Sequence, residues 1–120
     1  MRRLSLIVAL LAFAASARAQ DPWSRADVVR ESAVMAVSLA DWGQTLNIEE
    51  RDGCHEQNPM LGPHPSRGQV NTYFAASLLL HLGIVWALPA RFRPAFQYAS
   101  LGFELGIVGH NARLGLRITF

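Results

Sequence analysis

The chain has 120 residues, 51% hydrophobic and 17% charged, with a formal charge of +2. That length holds one small domain and excludes a multidomain enzyme. All eleven basic residues are arginine, and three of them, Arg2, Arg3 and Arg18, fall in the first nineteen positions; the eight that remain face nine acidic residues and are dispersed, which excludes a nucleic-acid partner.

Those first positions read as an export signal. Met1-Arg2-Arg3 is a positive start, Leu4 to Ala14 is apolar apart from Ser5, and Ala17-Arg18-Ala19 has the small-x-small pattern of a cleavage site. The apolar run is too short for a comfortable membrane anchor. The reading is therefore a cleaved signal peptide at 1–19 and a single helical membrane domain at 20–120, placed in a bacterial inner membrane.

Three apolar windows follow, each with a central ionisable residue. Ser32 to Ile48 contains only Asp41, Thr72 to Leu88 contains only His81, and Pro94 to Ala112 contains Glu104 with His110 near its end. At about 1.5 Å per residue such windows are some 25 Å long, at the short end of what crosses a hydrocarbon core. Helices are expected at about 26–47, 69–88 and 94–111. A soluble three-helix bundle competes with this, but Leu78 to Leu88 is apolar on every side except at His81, whereas a soluble bundle leaves each helix one face in water. The expected fold is thus all-α: a small membrane bundle of two to three transmembrane helices, with the lipid bilayer as its partner.

Polar residues within the windows recur at helical spacing. Glu31, Ser38, Asp41 and Thr45 share one face, as do Gln97, Ser100, Glu104 and Asn111, and Ser77 lies four residues before His81. Carboxylates are expensive against lipid, so these stripes are expected to face one another. Gly102, Gly106 and Gly109 give the third helix a smooth side on which a helix can pack closely, and this leaves homo-oligomerisation open.

Between the first two windows, Glu49 to Val70 is a polar loop rich in proline and glycine. Its Cys54 is the only cysteine, so it has no internal disulfide partner and reads as an inert loop residue. His55-Glu56 begins like the zinc motif H-E-x-x-H, but Pro59 stands where the second histidine belongs. No cofactor is expected; a metal site assembled in space would draw on His55, Glu56 and His64 of the loop, or on His81 and Glu104. Pro65-Ser66 marks the N-cap region of the second helix. Pro89 and Pro94 bound a short turn, where Arg91 and Arg93 flank Phe92 in a way that suits a headgroup interface. After a turn-like Gly109-His110-Asn111, the alternating residues from Arg113 to Phe120 read as a short extended tail.

Asp41-Trp42-Gly43-Gln44-Thr45, Glu56-Gln57-Asn58-Pro59-Met60-Leu61-Gly62 and Val70-Asn71-Thr72-Tyr73-Phe74, followed by two apolar helices, resemble small uncharacterised integral membrane proteins of bacteria and their prophages. Those carry D-x-x-x-T and E-x-N-P elements. The resemblance implies an α-helical membrane protein and no established activity.

Three functional readings stay open. The first is an envelope protein with a structural or interaction role. The second is a membrane-embedded cation or proton site, or a lipid-acting hydrolase, built on Asp41, His81 and Glu104 with Glu56 near the mouth. The third is a phage-type lysis or exclusion factor. No nucleophile motif such as G-x-S-x-G is present, so an enzyme is the less favoured class.

Overall fold

The computed structural model describes residues 21–49 and 58–120. Residues 1–19, read above as an export signal, and the loop residues Cys54, His55 and Glu56 lie outside the described residues. Three helices, α1 (Arg25–Glu49), α2 (Arg67–Ala87) and α3 (Arg93–Arg113), make the described part all-α, with no strand among the described residues.

Local chemistry sets each boundary. Ser24 and Asp27 cap α1 reciprocally: the Ser24 amide donates to Asp27 Oδ2 at 2.9 Å, and the Asp27 amide donates to Ser24 Oγ at 3.0 Å. The same exchange between Ser66 and Gln69 opens α2 at the N-cap foreseen in the sequence. Pro89 lies just beyond the C-cap Leu88, and Pro94 lies in the first turn of α3, where its missing amide costs nothing.

The end of α3 departs from expectation. Gly109-His110-Asn111 is helical, and the chain turns instead at Leu114-Gly115. Gly115 takes φ +77°, its amide donates to Ala112 O, and the Leu116 amide donates to Asn111 O. This Schellman closure needs a residue free to adopt positive φ, which Gly109, six residues too early for these bonds, does not supply. The extended tail then folds back on α1: the Thr119 amide donates to Gly43 O at 3.1 Å, and the Arg117 amide to Asn47 Oδ1 at 2.8 Å.

Cross-links fix the register. Gln97 donates to Asp27 O and Asn111 to Asp41 Oδ1, the same separation in sequence at both ends, so α1 and α3 run parallel. His81 meets Glu31, and Asn71 accepts from Trp42 Nε1, so α2 runs antiparallel to α1. Both α2 and α3 pack on α1, α3 the more extensively, while they barely touch each other. They diverge from the Leu88 to Phe92 turn as a V with α1 behind it.

The side chains are distributed the reverse of a water-soluble bundle. Among the described residues, nine buried side chains are polar or charged, Asp27, Glu31, Ser38, Asp41, Gln44, Thr45, Asn47, Arg93 and Gln97, against seven apolar ones, so the interior is polar in the majority. Leu46, Val70 and Phe74 form a small apolar core, with Trp42 stacked on Phe74 at 5.8 Å. Outside, Leu39, Leu79, Leu80, Trp86, Tyr98, Phe103 and Leu105 are exposed. Between Val28 and Leu39, Thr72 and Trp86, and Ala95 and Gly109, no exposed residue is charged. By length and composition, Arg67–Ala87 is the one helix among the described residues able to cross a membrane, with a mean hydropathy of 1.4 and 17% of its window buried.

Candidate binding site in the polar interior

The polar interior divides into a knot at the closed end of the V and a chamber below it. Arg93 anchors the knot and is fully buried. Its Nε donates to Val85 O at 3.1 Å, Nη1 to Pro22 O at 3.2 Å and Nη2 to Asp21 O at 2.7 Å, and the guanidinium lies over Trp23. Asp27 Oδ2 is 3.6 Å away, and Asp27 Oδ1 accepts from Arg30. Asp21 Oδ2 in turn accepts from the Ala90 amide. The headgroup role read for Arg93 is thus corrected: three carbonyls and a carboxylate pull it inward, while Arg91 alone stays exposed over Phe92.

Beside the knot, Gln97 binds three partners from α1. Its Nε2 donates to Asp27 O and to Glu31 Oε2 at 2.9 Å, while its Oε1 accepts from Arg30 Nε at 2.8 Å. The other Glu31 oxygen lies 2.9 Å from His81 Nε2, a contact that is ionic when the imidazole carries its second proton. His81 also stacks on Phe96 at 5.1 Å. One carboxylate therefore ties α1 to both other helices.

Further along α1, Asp41 accepts from Asn111 Nδ2 at 3.1 Å, and the Glu104 carboxyl lies beside it. Glu104 Oε2 is buried and has no hydrogen-bond partner among the described residues. Thr45 donates to Asp41 O at 2.8 Å and leans toward Oδ1.

The sequence candidates are thus distributed over two pairs, His81 with Glu31 and Asp41 with Glu104. Asp41, His81 and Glu104 nevertheless line one cavity of about 1060 Å³ in the mouth of the V. Ser38, Ser77, Ser100 and Asn111 continue its polar wall, and Leu78, Phe103 and Ile107 make the apolar one. Gly102 and Gly106 line it as well, and around Gly102, Gly106 and Gly109 no heavy atom lies within 4 Å of where a Cβ would stand. Among the described residues, no other helix packs on that glycine face. Among the described residues no three histidine, cysteine or acidic side chains gather as metal ligands, and His55 and Glu56 lie outside them.

Two residues that matter structurally had no motif to reveal them. Arg93 read as an interfacial arginine because two of its three carbonyl acceptors, those of Asp21 and Pro22, are some seventy residues away. Gly43, inside the D-x-x-x-T element, carries the returning tail: a Cβ there would meet Ile118 Cγ2 at 2.5 Å and the Phe120 ring at 3.1 Å. The polar stripes were the usable signal, and they lead directly to Glu31, Gln97 and Asn111.

No protein-family model, no curated protein and no solved structure matches this chain.

Proposed function

We propose that this is an integral membrane protein of the bacterial envelope whose three helices all span the bilayer, and that its work is binding within a chamber enclosed by them. The observation that carries this reading is the inverted burial: an uncharged, apolar belt outside and a hydrogen-bonded polar interior. In water, exposing Leu79, Leu80, Trp86, Phe103 and Leu105 together would be a large uncompensated apolar surface. In lipid it costs nothing, and charged groups then belong inside in pairs, which is the arrangement of Glu31 with His81 and Arg93 with Asp27. α1 and α3 are less apolar overall than α2 because their polar residues are the ones turned inward. The motif resemblance to small prophage-type membrane proteins points the same way.

Orientation follows from which arginines remain outside. Arg30 and Arg93 are spent on Asp27, which leaves Arg25 and Arg91 exposed at the closed end of the V. Arg67, Arg113 and Arg117 are exposed at the opposite end. The positive-inside rule places that opposite end in the cytoplasm and the start of α1 outside, as an export signal before α1 requires.

Reporter fusions test this. Alkaline phosphatase joined after Ala90 is expected to be active and joined after Gly62 inactive, with the protein retained in membranes after alkaline carbonate. Activity at both positions, or release by carbonate, would refute the three-span reading.

A further inference from the structure

We propose that the chamber between α2 and α3 is a binding site for a single-chain amphiphile with a cationic amine headgroup, the amine held between Asp41 and Glu104 and the chain leaving sideways past Phe103. This rests on the membrane reading above and deepens it. At about 1060 Å³ the cavity lies at the upper end of the roughly 300–1,000 Å³ of ligand sites, far beyond a packing defect. Its shape has a cause in the fold: α2 and α3 make few contacts with each other, one of them the His81–Phe96 stack within two turns of their connection, while both pack on α1.

The lining chooses the sign of the ligand. Its ionisable members are Asp41, Glu104, His81 and His110, and no arginine is among them, since Arg30 and Arg93 are held in the knot. An anionic headgroup would find two carboxyls and no fixed cation. An ammonium finds Glu104 Oε2, a buried acceptor with no donor among the described residues, on the same cavity wall as the Asp41 carboxyl. Its charge then meets acidic groups inside the bundle, as intramembrane ionisable groups require.

The lining also chooses the tail. Phe103 is 68% exposed and yet lines the cavity, so the mouth opens to the side, toward what the membrane reading makes lipid. With Leu78 also lining it and Gly102 and Gly106 leaving the rim low, that mouth has room for an alkyl chain.

The test uses full-length protein in maltoside micelles and native mass spectrometry with dodecylamine and dodecanoate as probes. One dodecylammonium is expected per chain, with dodecanoate held at least about tenfold more weakly. Glu104→Gln is expected to weaken dodecylammonium by about tenfold or more. Gly106→Leu, which adds bulk to open space at the mouth, is expected to exclude it while the circular dichroism spectrum and melting temperature stay unchanged. Equal retention of both probes overturns the proposal, as does undiminished dodecylammonium binding in a folded Gly106→Leu chain. Failure to retain dodecylammonium by a chain that resists carbonate extraction overturns the ligand assignment alone; extraction by carbonate overturns the membrane reading itself.

Discussion

Arg93 ties the start of α3 to the end of α2 and to the stretch from Asp21 to Asp27 through three carbonyls and Asp27. Arg93→Met keeps much of the volume but leaves those three buried carbonyls without their donor, while Asp27 keeps Ser24 and Arg30, and is expected to cost about 3–5 kcal/mol, read from denaturant unfolding in micelles. Arg93→Lys reaches fewer of the acceptors and is expected to fall between.

At the scale of the elements, the helices were legible because their signals are local. Ser66 with Gln69, and Pro89 with Pro94, act within one turn of the chain, so the composition around them is enough to place a boundary. The end of α3 was misplaced because glycine, histidine and asparagine at 109–111 resemble a turn, while the closure that ends the helix depends on Gly115. The tail offers a test of how much one contact is worth to an element. Gly43→Ala gains about 1 kcal/mol of helix propensity but pushes against Ile118 and Phe120, so overall stability is expected to change by less than about 1 kcal/mol. The tail, in contrast, is expected to lift from Gly43 O and become much more susceptible to carboxypeptidase. Unchanged digestion kinetics would mean that the tail contact has no hold on α1.

For the whole molecule, the decisive property is which side of each helix meets the surroundings. Leu80, half exposed in the middle of α2, distinguishes the two solvents. On the proposed reading Leu80→Arg puts a charge against lipid at a cost of about 2.5–3.5 kcal/mol and is expected to reduce the membrane-inserted fraction sharply, measured by carbonate extraction. In water the same change would be nearly neutral, so unaltered insertion and yield would count against three spans. The chamber belongs to this scale too. Asp41, His81 and Glu104 were each visible as the lone ionisable residue of a window, but their division into Glu31–His81 and Asp41–Glu104 pairs depends on the parallel register of α1 with α3.

The amino-acid order by itself determined three helices, the polar stripe on each and the three ionisable residues at their centres, because helix periodicity and capping are local and repeat within a few residues. Only the tertiary structure decided that Arg93 is buried, that Gly43 receives the tail, that the Gly102 and Gly106 face stays open and that α2 and α3 part to leave a chamber. Each of those depends on the relative placement of helices through contacts of some seventy residues' separation, such as Gln97 with Asp27 and Asn111 with Asp41, which no local pattern encodes.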